Sequence, residues 1–172
     1  MIYAPSDDSF LLAESVRHYS GGNALEIGVG SGIILEALEH HFESTAGTDI
    51  DLEALRSCIG KSRAQLVCCD AASAFAPIGR FDLIVSNPPY LPDDKAIDRT
   101  VHGGPVGIEA TVHFLDSALP LLAPGGKILF IVSSLADPFA LDAIISSRGL
   151  AKKVIKEKKL FFETLSVVEL AR

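Results

Sequence analysis

Nothing in this 172-residue chain is long and apolar enough to span a membrane. Runs such as Ile128 to Val132 and Ala118 to Ala123 stop far short of the roughly 18 residues a spanning helix needs. Cysteine is scarce: Cys58, Cys68 and Cys69 show no CxxC spacing, which excludes the usual metal and disulfide frames and reads as reduced, mostly buried thiols. The five histidines, among them the adjacent His40 and His41, form no HExxH-type ligand pattern, so no structural or catalytic metal is expected. Basic residues are outnumbered, 15 Lys and Arg against 22 Asp and Glu; the resulting net charge of −7 argues against a protein that coats nucleic acid. The opening MIYAPSDDSF carries two aspartates where a secretory leader would be positive, so a soluble, cytoplasmic protein is expected.

What is present fits a folded chain. Hydrophobic residues make up 48%, charged residues 22%, and mean hydropathy is +0.34, values that exclude a disordered or collagen-like polypeptide. The length suits one domain over residues 1–172. Short apolar runs alternate with segments of helical period, the signature of a parallel sheet wrapped by helices. Helices are predicted over 6–16, 31–41, 52–59, from about Val106, and over 138–147. Strands are predicted over 24–27, 45–48, 66–69, 82–85 and 127–132, then a closing antiparallel pair over 151–157 and 165–170. Between Pro88 and Gly104 lies a long proline-bearing loop, of the kind that tends to be functional or mobile. The stretch Lys152 to Lys159 holds five lysines and one glutamate. It reads either as lysines guarding an edge strand or as a patch that docks on RNA or a ribosomal partner.

Glu26-Ile27-Gly28-Val29-Gly30-Ser31-Gly32 joins a predicted strand to a predicted helix. Glycines there let the backbone turn tightly and let a ligand approach the amides at the helix start. Ile33 and Ile34 stand where a phosphate-binding loop would end in Gly-Lys-Ser/Thr, and the spacing GxGxG departs from the dinucleotide GxGxxG. Glu26 would repel a pyrophosphate but suits an amino group. S-adenosylmethionine joins a nucleoside to a cationic amino acid and meets both conditions. Asp49, ending the next strand, can accept from ribose hydroxyls, and Asp70, ending the one after, from an adenine amino group. A solvated loop aspartate is the plain alternative for each.

Phe81 to Tyr90, FDLIVSNPPY, reads as a buried strand ending in a rigid turn. The Asn87 side-chain oxygen and the Pro88 carbonyl can accept both hydrogens of one planar –NH₂, with Pro89 stiffening the turn and Tyr90 stacking on the flat face. Such a grip orients a poorly nucleophilic nitrogen toward a methyl sulfonium, with no Asp or His base required.

On these motifs the chain resembles the class I S-adenosylmethionine-dependent methyltransferases with an NPPY motif, and among them the HemK-like glutamine N5-methyltransferases. The segment Tyr3-Ala4-Pro5-Ser6-Asp7-Asp8-Ser9-Phe10-Leu11-Leu12 is similar to the Tyr-Glu-Pro-Ala-Glu-Asp-Thr-Phe-Leu-Leu opening of the short eukaryotic and archaeal branch. Gly103 to Glu109 is similar to that family's Gly-Gly turn. Ala4 stands in place of a family glutamate, and Ser9 in place of a threonine whose hydroxyl it keeps. The resemblance implies a Rossmann-like α/β fold: about seven strands, mostly parallel, an antiparallel C-terminal strand, and helices on both faces. It implies that Ser9, Glu26, Gly28, Gly30 and Gly32 hold the cofactor's amino-acid end and glycine-loop side, Asp49 the ribose, and Asp70 with Ala71 the adenine. Asn87, Pro88, Pro89 and Tyr90 would hold the substrate amide, the glutamine of a Gly-Gly-Gln loop in a translation release factor. It further implies a chain without the N-terminal recognition domain of the bacterial members, working with a small zinc-binding activator protein. Two other readings stay open: methylation of adenine-N6 or guanine-N2 in RNA or DNA, and a non-catalytic cofactor-binding scaffold.

Overall fold

The computed structural model describes residues 5–92, 102–105 and 107–172. In chain order the elements are α1 (Asp7–Val16), β1 (Gly21–Ile27), α2 (Ile33–Glu39), β2 (Phe42–Asp49), α3 (Leu52–Cys58), β3 (Gln65–Cys68), β4 (Phe81–Ser86), β5 (Leu91–Pro92), β6 (His102–Gly104), α4 (Glu109–Ala118), β7 (Leu122–Ser133), α5 (Pro138–Ser147), β8 (Ala151–Lys159) and β9 (Thr164–Ala171). A seven-stranded sheet runs β3-β2-β1-β4-β7-β9-β8, and β5 pairs with β6 apart from it. Strands β3, β2, β1, β4 and β7 pair in parallel, while β9 runs antiparallel to both β7 and β8. The chain moves outward from β1 toward β3, then returns to place β4 on the other side of β1. That reversal leaves a crevice beyond the carboxyl ends of β1 and β4, where ligands bind in open α/β sheets.

Side-chain alternation divides the core between two faces. On one, Leu83 and Val85 of β4 and Leu129 and Ile131 of β7 pack with Leu11, Leu12 and Val16 of α1 and Ile34 and Leu38 of α2. On the other, Ile84, Ile128 and Phe130 pack with Leu115 and Ala118 of α4 and Leu141 and Ile145 of α5. Asp137 caps α5 by accepting from the Phe139 and Ala140 amides at 3.0 Å, with Pro138 in the first turn. Among the described residues no helix is long and apolar enough to cross a membrane.

The predicted elements are all found, with shifted ends. α2 starts at Ile33 rather than Ser31, because Gly30 (φ 50°) and Gly32 (φ 82°) hold that stretch in a left-handed turn. β1 begins three residues early, at Gly21, because the Asp82 carboxylate accepts from the Gly22 and Asn23 amides at 2.8 and 2.9 Å. α4 starts at Glu109, later than Val106, after Gly107 turns the chain at φ 79°. β7 takes in the predicted Pro124-Gly125-Gly126 turn as an irregularity in its pairing with β4. Within the predicted loop, β5 and β6 form a short ladder; residues 93–101 lie outside the described residues, as do Tyr3, Ala4 and Val106. Of the cysteines expected to be mostly buried, only Cys58 is; Cys69 is half-buried and Cys68 exposed, since β3 is an edge strand.

The lysine stretch is β8, the opposite edge. Three of its lysines tie that edge to the helices: Lys152 to Asp142, Lys156 to Glu14 at 2.6 Å, and Lys158 to Asp7 at 2.8 Å. Edge protection accounts for the pattern.

Candidate active site

Four adjacent strand ends form the rim of the crevice. Register pairs Ile27 with Thr48 and with Ser86, and Asp49 with Cys68, so at the ends of β1, β2 and β4 Glu26 stands one position before that level and Asp49 and Asn87 one position after it. Asp70 follows two residues after β3. Strand spacing of ~4.8 Å makes the row from β3 to β4 about 15 Å long.

The glycine loop is fastened at both ends. The Gly28 and Val29 amides donate to the Thr48 carbonyl at 2.8 and 3.0 Å, and the Gly30 amide donates to Asp49 Oδ2 at 2.9 Å. Asp49 Oδ1 accepts from the Asp51 amide at 2.8 Å. Each Asp49 oxygen therefore takes one backbone amide, Oδ2 from the glycine loop and Oδ1 from the start of α3, and keeps a second lone pair for a ligand hydroxyl. At Gly32 a Cβ would meet Cys58 Sγ at 2.8 Å, so both backbone angle and space demand glycine.

Glu26 is the most unusual group on the rim. Its side chain is fully buried, and among the described residues neither oxygen has a hydrogen-bond partner of ordinary geometry. Burial, and then the neighbouring Asp49 charge, raise its pKa well above the usual carboxylate value; a small opposite pull from the Leu35 amide does not offset them. Thr48 Oγ1, on the adjoining strand, is likewise buried without a partner. Orphaned buried polar atoms are rare in folded proteins and call for a ligand or a cost.

Asn87 begins where Ser86 ends β4, and Ser86 Oγ donates to the Ile27 carbonyl at 3.0 Å, locking that strand end to β1. Asn87 Nδ2 lies 3.5 Å from Ser9 Oγ, while Oδ1 is buried with no partner among the described residues. Ser9 is buried in the first turn of α1, so the helix brings it to the site from the far end of the sequence. Tyr90 is half-buried, and its hydroxyl donates to Asp8 Oδ2 at 3.2 Å. Pro88 is buried and Pro89 half-buried.

At the far end of the row, Asp70 Oδ1 lies 2.8 Å from His113 Nε2 on α4. Ala71 holds φ at 46°, an uncommon angle for a residue with a Cβ, and is buried. Strained non-glycine backbone tends to collect at functional sites.

Sequence reasoning missed three neighbours. Asp8 reads in sequence as a helix-start charge, yet it is buried and accepts from Tyr90, 82 positions away. His113 meets Asp70, and Phe114 lies 3.6 Å from where a Gly28 Cβ would stand. The last two fall on the helix predicted from about Val106, and helical period does not tell which strand end a helix faces.

The family described as Methyltransferase small domain matches residues 6–155. The chain belongs to that family. A Methanocaldococcus jannaschii protein assigned as a protein N5-glutamine methyltransferase is 29% identical over 179 residues, covering 97% of this chain and 90% of that protein. The release factor glutamine methyltransferase of Bradyrhizobium diazoefficiens is 36% identical over 124 residues, covering 60% of this chain and 41% of that one. Among solved structures, the E. cuniculi Mtq2–Trm112 complex, described as methylating the eRF1 translation termination factor, superposes with a TM-score of 0.83 at 25% identity. That match covers 99% of this chain and 98% of the other. The expected methyltransferase architecture, seven strands with an antiparallel C-terminal strand between helical layers, is the one observed.

Proposed function

We propose that this chain transfers a methyl group from S-adenosylmethionine to the side-chain amide nitrogen of glutamine, in a Gly-Gly-Gln loop of a translation release factor. The observation that carries the reading is Asn87 Oδ1, a buried acceptor without a partner at the strand end beside the equally unpartnered Glu26. An acceptor left open beside a cofactor cradle asks for an N–H donor, and a planar amide supplies two. The relatives named as glutamine methyltransferases, and the eRF1 substrate of the E. cuniculi enzyme, support a protein amide over a free one.

The residues present fit the cofactor. Glu26 and Ser9 would hold its amino-acid end, Gly28, Gly30 and Gly32 let it close on the loop backbone, Asp49 takes the ribose, and Asp70 with Ala71 the adenine. When bound, S-adenosylmethionine supplies an electrophilic methyl group on a sulfonium. Asn87 Oδ1 and the Pro88 carbonyl each accept one amide hydrogen, which fixes the plane of the nitrogen and turns its lone pair toward the methyl. Pro89 stiffens that turn, and Tyr90, steadied by Asp8, covers the flat face. Both acceptors bind more tightly as positive charge builds on nitrogen, so they favour the transition state over the bound amide. The extra proton leaves the charged nitrogen for solvent after transfer, and no side-chain base is needed.

We extend the reading to residues 1–172 acting as one catalytic domain in the cytoplasm. A small partner protein would play the part Trm112 plays for the E. cuniculi enzyme, a zinc-binding activator being the expected kind. The nucleic-acid reading loses ground because three of the five lysines it would use are spent on acidic partners. The deciding experiment incubates the protein with methyl-labelled S-adenosylmethionine and a cell lysate, then splits the sample between nuclease and protease. Label that survives nuclease but not protease, and maps to a Gly-Gly-Gln glutamine, upholds the proposal; label removed by nuclease overturns it.

A further inference from the structure

The turn between β8 and β9 carries Phe161 and Phe162, which are 92% and 84% exposed, their rings edge to face at 4.6 Å. Single exposed apolar residues need no explanation, but a paired aromatic on a fixed turn does. This turn is fixed. The Leu160 amide donates to the Glu163 carbonyl at 2.8 Å, Ser133 Oγ to Glu163 Oε2 at 2.5 Å, and the Thr164 amide to Ser134 Oγ at 2.9 Å.

Its position follows from the ladder. Ser86, just before Asn87, pairs with Phe130, and β7 continues to Ser133, opposite Leu165. The turn therefore stands at the carboxyl end of the parallel strands, the end that bears the candidate site. β9 is two strands from β4, a lateral distance of about 10 Å. Leu160 and Tyr90 pack against one core cluster, and Lys158 binds Asp7, next to the Asp8 that holds Tyr90. Exposed Phe10 on α1 and Phe139 at the start of α5 flank this end of the sheet.

We infer that the Phe161–Phe162 turn is the docking element for the polypeptide that carries the target amide, gripping chain beside the loop inserted at Asn87. The inference rests on the protein-amide reading above. The aromatic pair stands at the same end of the sheet as the amide site, two strands to the side, so a protein seated over Asn87 has the pair within reach. Rigid aromatics in such a place make the concentrated contacts that carry most of the energy of a protein interface. Of the two lysines that precede the pair, Lys158 is bound to Asp7 and Lys159 is exposed, so the turn offers two aromatic rings and little phosphate-binding charge.

The test compares wild type with F161S/F162S, a double change at exposed side chains that leaves the core untouched. Each is assayed with a folded release-factor domain presenting a Gly-Gly-Gln loop and with a short peptide of that loop. The variant should raise KM for the folded domain about tenfold or more, with kcat and peptide KM unchanged within about twofold. An unchanged KM for the folded domain overturns the inference. So does a wild-type dimer, seen by sedimentation, that the variant converts to monomer without altering that KM, because the pair would then bind a second copy. Competition of a single-stranded RNA with the folded domain, lost in the variant, also overturns it, since stacked bases would then be the natural occupant. Wild type that methylates neither substrate removes the release-factor reading itself and the docking inference with it.

Discussion

Replacing Glu26 by Gln separates the two demands made on that residue, because it should strengthen the ligand-free protein while weakening the cofactor site. The side chain is fully buried with no partner on either oxygen, and burial followed by the Asp49 charge raises its pKa well above 4.5. A carboxyl whose folded pKa lies above its unfolded one binds its proton more tightly when folded. Its contribution to stability is therefore fully present below the unfolded pKa and is lost as pH rises from about 4.5 toward the folded pKa. The size of the loss has a ceiling at any given pH. From 4.5 to 7 is two and a half units, and at about 1.36 kcal/mol each the burden at pH 7 cannot exceed about 3.4 kcal/mol. Glutamine keeps the shape and never ionises, so it removes that burden while retaining the unmade hydrogen bonds.

Thermal unfolding without ligand should then show E26Q melting above wild type at pH 7, by roughly 2–4 °C for each kcal/mol recovered. The gap should shrink as the pH is lowered through 4.5, below which the carboxyl is neutral in the folded and the unfolded chain alike. Calorimetric titration with S-adenosylmethionine should show affinity down by tenfold to a hundredfold, the loss of a charge-assisted hydrogen bond worth ~1.5–3 kcal/mol. A variant that melts below wild type at neutral pH would show that Glu26 has a stabilising partner in the folded protein. A variant that binds S-adenosylmethionine as wild type does would remove Glu26 from the cofactor site.

Three further changes test other parts of the site. Asn87→Ala should lower kcat by about 10²–10³ while leaving cofactor affinity within about twofold, read by rapid-mix transfer assays and calorimetry; retained transfer would show that Asn87 does not grip the amide. Gly32→Ala forces a Cβ into φ 82° and to 2.8 Å from Cys58 Sγ, so it should cost ~2 kcal/mol or more in urea unfolding. Adding Cys58→Ala should return only the steric part of that loss, and full recovery would show that the backbone angle carries no cost. Lys158→Ala breaks an exposed pair with Asp7 and should change stability by less than about 1 kcal/mol, with no loss of methyl transfer; a large fall in transfer would reinstate the lysine edge as a functional surface.

The fold was legible because alternation and period report burial, and burial follows from the sheet. Ile128 to Val132, read as a strand, is covered on both sides, and the Lys-rich β8, read as a guarded edge or a docking patch, is an edge. Element ends were less legible where glycine or a distant side chain sets them. The left-handed angles at Gly30 and Gly32 cut α2 short, and Asp82, sixty positions away, completes the start of β1. In the candidate site, residues at strand ends could be read because each follows its own strand. Asp8 and His113 could not, since they reach the rim on helices whose docking direction is a property of the assembled sheet.

The same distinction explains where the free protein is uncomfortable. Asp49 has a local partner in the Gly30 amide, so its role in shaping the loop survives without ligand. Glu26, Thr48 and Asn87 do not: each presents a buried polar atom with no partner among the described residues, and the three sit at the ends of β1, β2 and β4, around the point where the chain reverses direction across the sheet. Each such atom costs about 1–3 kcal/mol in a folded protein. Scattered through a core, costs of that size would be selected against one by one. Gathered at one rim they have a common remedy, which is a ligand that donates hydrogen bonds to acidic and amide oxygens together. A cation with an ammonium group beside Glu26 and a planar amide beside Asn87 meet that description; an anionic phosphate ligand at Glu26 does not. The site is thus selective by what it leaves unpaired, and cofactor and substrate should each raise the melting temperature, the two together more than either alone.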